Sequence, residues 1–295
     1  MQRLIVYFMS LAMTLGGYAA GAAGDTKAEQ LMAQARASLG GEKNLNKVQG
    51  LTATGTYQRT MPDRQLSGEV TIDLQLPDRM LRTESMSPMG DTTIVTEQGL
   101  NGEKLLRNQR TMNAPPGMVI RMGPPPTGDA EAQAVRNARA DLARIVVAFL
   151  LTSPAALPLE FAYGGEAESD EGKADVVEAK GAGTFAARIF LDQKSHRPLM
   201  LTYRGVAPRV MIQTQQGPPD GGHGQRGEPA HDATPAMPPP QVVDITLYLD
   251  DYKSVDGVML PHHMTRSVDG KPTEETTFKT IRINPAFKPD TFTAR

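Results

Sequence analysis

Hydrophobic and polar residues alternate with a two-residue period along most of this chain, which is typical of β-strands. The alternation is clearest over residues 66–76, where the apolar side chains of one face are those of Val70, Ile72, Leu74 and Leu76. The residues between them are mostly polar, so this segment predicts an antiparallel strand that buries one face only. Similar runs, separated by turn residues, follow up to residue 108 and predict a meander of consecutive strands.

Three further strands are predicted after residue 242, because Asp256-Gly257 and Asp269-Gly270 each separate two runs of β-branched and aromatic residues. An Asp-Gly pair in that position is a strong hairpin signal. The alternation shifts near Thr280, which predicts a β-bulge of the kind that bends a sheet. We expect these strands to form the closing edge of a curved sheet. The first of them presents one apolar face, made by Val243, Ile245, Leu247 and Leu249.

Two segments change to the spacing of an α-helix. In the first, Thr26 and Glu29 match a capping box that predicts a helix start, and Gly40-Gly41 predicts its end. In the second, Asp129 can cap a helix whose apolar residues recur at spacings of three and four up to Leu150. Strand patterns resume between residues 159 and 213. The whole pattern predicts an α+β, mostly β fold, with a large antiparallel sheet and helices packed against one of its faces.

The N-terminus has the composition of a secretory signal peptide. Arg3 is followed by an apolar stretch up to Leu15 and then by small residues up to Gly24. Such a stretch is too short to span a bilayer and ends in a plausible cleavage site. We therefore expect an exported protein with one mature domain over residues 25–295. Residues 217–240 are dense in proline and glycine and predict a disordered loop within that domain.

Composition argues against several classes of function. The chain has no cysteine, which removes thiol chemistry and zinc–thiolate sites. A net charge of −2 argues against a nucleic-acid partner, and an aromatic content of 5 % without tryptophan argues against a stacking platform. His262 and His263 are neighbours in a predicted strand, so they point to opposite faces and cannot chelate one ion together. Common catalytic and nucleotide-binding motifs are absent from the sequence. We expect a protein that is not an enzyme and has no metal or cofactor.

Apolar surface between the predicted sheet and the second helix is the remaining candidate for a function. This surface can pack as a solid core, or it can leave a gap lined by aliphatic side chains that holds an acyl chain. The residues alone leave both possibilities open. The positions expected to line such a gap are Tyr57, Ile72, Leu74, Met80, Ile94, Leu106, Ile145, Phe149, Phe190 and Leu247.

Short motifs in a fixed order extend over most of the chain. They are Ala37-Ser-Leu-Gly-Gly41 followed by Leu45 to Gly55, Leu76-Pro-Asp-Arg-Met80, Gly99-Leu-Asn-Gly-Glu-Lys-Leu-Leu106, Phe190-Leu-Asp192, Arg197-Pro-Leu199, Asp251-Tyr252 to Pro261-His262, and Asn284-Pro285 with Pro289-Asp290-x-Phe292. In this order they resemble the outer-membrane lipoprotein carrier superfamily, the LolA/LolB-like lipoprotein-sorting proteins. The resemblance implies an unclosed, curved β-barrel with helices on its concave side and an apolar pocket for lipid chains.

The same resemblance implies a function in the periplasm. It favours the gap over the solid core, and it implies a non-catalytic carrier or chaperone that binds the acyl chains of a lipid or lipoprotein. The alternative is an interaction or stress-sensing regulatory domain of the same fold, whose partner would be an inner- or outer-membrane envelope protein. We expect a monomer.

Overall fold

The computed structural model describes residues 21–61, 64–89, 91–113, 126–170, 172–183, 185–206 and 241–293. Residues 1–20 of the predicted signal peptide lie outside this part of the chain, and so does the whole of the predicted loop 217–240. Both therefore stay predictions.

Twelve strands and three helices make up the described chain. The first strands are β1 (Gly50–Thr60), β2 (Gln65–Gln75), β3 (Arg79–Met89), β4 (Thr92–Asn101) and β5 (Lys104–Met112). The others are β6 (Leu159–Ser169), β7 (Gly172–Gly181), β8 (Ala186–Asp192), β9 (Pro198–Val206), β10 (Val242–Val255), β11 (Val258–Val268) and β12 (Lys271–Ile283). The helices are α1 (Gly21–Ser38), the single-turn α2 (Glu42–Leu45) and α3 (Asp129–Leu150). The strand predicted over residues 66–76 is confirmed as β2.

All twelve strands belong to one sheet, in the order β5-β4-β3-β2-β1-β12-β11-β10-β9-β8-β7-β6. The two outermost strands, β5 and β6, do not pair with each other, so this antiparallel, curved sheet is not closed. The expectation that the last three strands form the closing edge is wrong, because β12 pairs with β1 at the centre of the sheet. An Asp-Gly turn specifies the partner within its own hairpin, and it carries no information about the strand on the other side.

The predicted bulge near Thr280 is confirmed. Thr54 of β1 faces Thr280, whereas the next residue, Gly55, faces Phe278. The strands approach closely at this point, since a Cβ atom on Gly55 would lie 1.9 Å from the carbonyl oxygen of Thr277. The extra residue, Lys279, increases the bend at the centre of the sheet, and only glycine fits opposite it.

Helix α1 packs on β6 and β7 and begins at Gly21. The predicted start at Thr26 is therefore wrong, because Thr26 lies inside the helix. The residues before Thr26 are Gly, Ala and Asp, and none of them stops a helix as proline does. The predicted end is confirmed, since α1 ends at Ser38 and Gly40 takes a φ of +118°.

Helix α3 confirms the second helical prediction over Asp129–Leu150. The predicted cap is wrong, because Asp129 is the first residue inside the helix, and the N-cap position is Gly128, which has no side chain to accept a hydrogen bond. It lies on the concave side of the sheet, where it contacts β4, β5, β9 and β11. Phe149 makes an edge-to-face contact with Phe278 of β12, with 6.0 Å between the ring centroids. The end of α3 is tied to α1, because Arg36 Nε donates a hydrogen bond to the carbonyl oxygen of Leu151 at 2.8 Å. The main core therefore lies between the concave face and these two helices.

Candidate functional site

The main core brings together most of the residues expected to line an acyl-chain site. These are Tyr57, Ile72, Leu74, Phe149 and Leu247, which are all buried. Met80 is half-buried and packs against the same core. Ile94 is buried, and Ile145 of α3 is half-buried. Whether these residues contact a ligand stays a prediction.

Two of the expected lining residues lie elsewhere. Leu106 packs with Leu81 and Phe292 in a separate cluster. Phe190 belongs to another cluster on the convex face, because its neighbours Ile189 and Leu191 are the ones that reach the main core. Each lies in a run of consecutive apolar residues, where alternation does not tell which side chain points inward.

A closed group of four charged side chains lies on the concave face, and the sequence analysis missed it. We call Arg59, Arg82, Glu84 and Glu274 the charged ring. Arg59 Nη2 donates to Glu84 at 2.9 Å, and Arg59 Nε donates to Glu274 at 2.8 Å. Arg82 Nε donates to Glu84 and its Nη2 donates to Glu274, both at 2.7 Å. Each arginine therefore bridges both carboxylates.

The strand register places the charged ring among the core residues. Arg82 lies directly opposite Ile72, and Glu84 lies opposite Val70, so both point to the apolar side of the sheet. The signal for this placement is present in the sequence, because Arg82 and Glu84 have the same parity in β3 as Met80. A charged pair at spacing two on an apolar face predicts internal pairing, since isolated charges there are costly.

Burial and charge act in opposite directions on the carboxylate of Glu274. Burial would by itself raise the pKa of Glu274, but the positive charges and hydrogen bonds of Arg82 and Arg59 outweigh it and hold this pKa below its ordinary value. Burial raises the pKa of the neighbouring Tyr57 to about 12. The Tyr57 hydroxyl is buried and has no hydrogen-bond partner among the described residues. Glu274 therefore stays ionised at neutral pH, while Tyr57 stays neutral.

A groove of about 310 Å³ opens at the central bulge. Most of the residues that line it are polar by type, and they include Thr54, Thr71, Thr83 and Lys279. Thr71 alternates along β2 with Val70 and Ile72, whose side chains enter the main core, and Thr54 and Thr83 lie opposite Thr71 on the neighbouring strands. The groove therefore lies on the convex side. It is therefore separate from the space between α3 and the sheet, where the apolar side chains are packed against one another.

The described residues contain no group of three or more His, Asp or Glu side chains placed to hold a metal ion. His262 is buried in β11, where its Nδ1 lies 3.0 Å from the carbonyl oxygen of Leu260, and His263 is half-buried. The two histidines therefore point apart, as predicted. Within the same part of the chain, no helix combines the length and apolar character that crossing a membrane requires.

No protein-family model and no curated protein sequence matches this chain. Solved structures with a similar chain trace include a LolA-superfamily protein from Nitrosomonas europaea, at 8 % identity and a TM-score of 0.44, covering 90 % of this chain and 97 % of that one. A putative outer-membrane lipoprotein-sorting domain from Vibrio parahaemolyticus matches at 10 % identity and a TM-score of 0.43, covering 92 % and 96 %. A DUF1329-family protein from Desulfovibrio piger matches at 9 % identity and a TM-score of 0.46, covering 90 % and 96 %.

Proposed function

We propose that this protein is exported to the periplasm and binds the acyl chain of a lipid or lipoprotein on the concave face of its sheet. The residues proposed to contact the chain lie in the main core and at its margin, and they include Ile72, Leu74, Met80 and Leu247. In this function the protein is a carrier or chaperone of acyl chains and performs no catalysis.

The observation that carries this proposal is the mismatch between the width of the concave face and that of the helices on it. Twelve strands at a spacing of about 4.8 Å span roughly 50 Å along the curve of the sheet. Two helices, each about 10 Å across, cover only part of that width. Apolar residues at the margin, such as Met80, Phe161 and Val268, are accordingly only half-buried. An acyl chain that extends this apolar layer would bury further area at ~25 cal/mol per Å².

A ligand at this site would compete with contacts that the protein makes within itself. The last turns of α3 fill the centre of the concave face, where Val146, Phe149 and Leu150 are fully buried. An acyl chain would lie beside α3 or displace some of its side chains. The exposed N-terminal half of α3, residues 129–138, has few such contacts to lose.

Native mass spectrometry of the protein purified from an envelope fraction tests the proposal, together with calorimetric titration of dodecanol. We expect co-purified lipid and measurable binding of dodecanol. Met80→Gln, on the concave face, should weaken dodecanol binding about fivefold because it replaces apolar contact area with an amide. Thr83→Gln, on the convex face, is the matched control and should leave binding unchanged. Absence of both co-purified lipid and dodecanol binding would refute the proposal.

The second candidate function is binding of another envelope protein, and the open edges of the sheet favour it. Among the described residues, strands β5 and β6 each have one neighbouring strand, so their outer backbone groups can accept a strand from another chain. Met112, at the end of β5, is among the most exposed apolar residues of the described chain. Protection of β5 or β6 amides from hydrogen exchange on adding envelope proteins, without any lipid uptake, would favour this function.

A further inference from the structure

Arg266 of β11 carries a positive charge that no acidic side chain in the described chain neutralises. It lies directly opposite Leu247 of β10, so its side chain points to the concave face. Its Nε atom is buried and has no hydrogen-bond partner among the described residues, although the residue as a whole is half-buried. A guanidinium nitrogen removed from water without an acceptor is costly, so this arrangement favours an anion that can accept a hydrogen bond from it.

The nearest carboxylate in the register does not supply that charge. Glu274 of β12 faces Arg266, but its Oε2 already accepts from Arg59 and its Oε1 accepts from Arg82. Glu84, the other ring carboxylate, is bonded to the same two arginines. The charged ring is therefore neutral in itself, and Arg266 adds an uncompensated positive charge beside it.

A second arginine, Arg144 of α3, lies over the same part of the concave face. The centre of its guanidinium is 3.9 Å from the centroid of the Tyr203 ring, and its side chain is only 13 % exposed. Its Nε is buried without a partner in the described structure, while its Nη1 donates to Asp141 at 2.7 Å. Asp141 is 57 % exposed, so water screens this pair.

Tyr203 connects the two arginines. Burial raises the pKa of its hydroxyl, and the charges of Arg266 and Arg144 both act against that rise. The register agrees with this, because Tyr203 faces Ile245 of β10 and the next inward residue of that strand, Leu247, faces Arg266. The two guanidinium groups approach Tyr203 from two different elements, the sheet and the helix, and leave positive charge at the margin of the apolar core.

We infer that Arg144 and Arg266 bind the anionic group, a carboxylate or a phosphate, of an amphiphile whose acyl chain lies on the concave face. Guanidinium groups suit both anions, because they donate two parallel hydrogen bonds to neighbouring oxygens. The inference rests on the proposed acyl-chain function, and it adds a charged end to the ligand. The source of the anion can be a lipid head group or a free phosphate, and the experiment separates the two.

Calorimetric titration at low ionic strength tests the inference with four probes: dodecanoate, dodecyl phosphate, dodecanol and inorganic phosphate. The variants are Arg266→Gln, Arg144→Gln and, as a control, Arg188→Gln. Arg188 lies on the convex face, where it pairs with Glu178 and is 46 % exposed, so its replacement makes the same change in net charge away from the site. Urea unfolding of each variant checks that it folds. Arg266→Gln should be at least as stable as the wild type, because it removes an uncompensated charge.

The wild-type protein should bind dodecanoate and dodecyl phosphate at least tenfold more tightly than dodecanol. Arg266→Gln and Arg144→Gln should each lower the affinity for the two anions about tenfold and the affinity for dodecanol less than twofold. Arg188→Gln should change neither affinity. Equal binding of dodecanol and dodecanoate would overturn the inference and leave the acyl-chain proposal standing. An equal loss in Arg188→Gln would also overturn it, since the effect would then be one of net charge. Inorganic phosphate binding as tightly as dodecyl phosphate would overturn the head-group assignment. If neither dodecanol nor the anions bind, the acyl-chain proposal itself fails.

Discussion

Replacing Glu274 with glutamine tests how much the charged ring contributes to the stability of the fold. The Glu274 side chain is 9 % exposed and accepts hydrogen bonds from Arg59 Nε at 2.8 Å and from Arg82 Nη2 at 2.7 Å. Glutamine keeps the shape of the side chain but offers one neutral oxygen, and its NH₂ group cannot accept from the second arginine. Glu84 would then be the one negative charge left in the ring to balance the two guanidinium groups.

The expected loss follows from the burial of the ring. Removing one member of a buried ion pair costs about 3–5 kcal/mol, because it leaves an uncompensated charge. Arg59 and Arg82 are 23 % and 26 % exposed, so water partly solvates them in the variant. We therefore expect Glu274→Gln to lower the free energy of unfolding by an amount near the lower limit, about 3 kcal/mol.

Urea unfolding followed by circular dichroism measures this loss, and Glu168→Gln is the matched control. Glu168 pairs with Lys173 at 3.4 Å on the surface, where the two side chains are 70 % and 58 % exposed. An exposed pair of this kind contributes less than ~1 kcal/mol. If Glu274→Gln loses no more stability than Glu168→Gln, the charged ring does not stabilise the fold and the argument from burial is refuted.

Three further predictions concern the same face of the sheet. The folded-state pKa of Glu274 lies below its ordinary value of 4.5. The stability that its carboxylate adds is therefore complete above about pH 5 and is lost as the pH falls through the folded-state pKa. When the free energy of unfolding is measured at decreasing pH, it should fall less steeply in Glu274→Gln than in the wild type. Tyr57→Phe removes a buried hydroxyl without a described partner and should change stability at pH 7 by no more than ~1 kcal/mol, in the stabilising direction. The pKa of Tyr57 is raised from 10.0 to about 12. Between these two pH values the free energy of unfolding of the wild type should therefore fall by up to ~1.4 kcal/mol per pH unit more than that of Tyr57→Phe. Identical dependence on alkaline pH in the two proteins would contradict this. Gly55→Ala should cost more than ~2 kcal/mol in urea unfolding, because its Cβ would lie 1.9 Å from a backbone oxygen. Gly164→Ala should cost less, because the nearest atoms to its new Cβ belong to the side chains of Glu178 and Val176, at 3.0 and 3.2 Å.

The parts of the fold that the sequence predicted are those set by local chemistry. The two-residue period identifies β2 and the inner face of β10, the Asp-Gly pairs identify the last two turns, and the helical spacing identifies α3. The bulge near Thr280 is visible as a shift in that period. Each of these features depends on residues within a few positions of one another. The central position of β12 depends instead on β1, at the other end of the chain, and no local pattern predicts it.

The candidate site was harder to predict for a related reason. Apolar side chains identify a buried face but not which of two adjacent apolar residues belongs to it, as Leu105-Leu106 and Ile189-Phe190 illustrate. The charged ring joins β1, β3 and β12, so its pairing is visible only once the strand order is known. Its one local sign is the placement of Arg82 and Glu84 on the inward parity of β3.

The distribution of charge along the concave face limits the shape of the ligand proposed for it. Arg59 lies at the end of β1, and Glu274 and Arg266 flank the Asp269-Gly270 turn, so the charges lie toward one end of the sheet. Leu51 and Leu74 lie toward the opposite end, where the buried side chains are apolar. A pure hydrocarbon long enough to lie across both regions would cover charged groups and displace their water, which is costly. An amphiphile avoids that cost by placing its polar end over the arginines. The face should therefore select for ligands with one charged end, and it should bind dodecane less well than dodecanoate even though the hydrocarbon is the more apolar of the two.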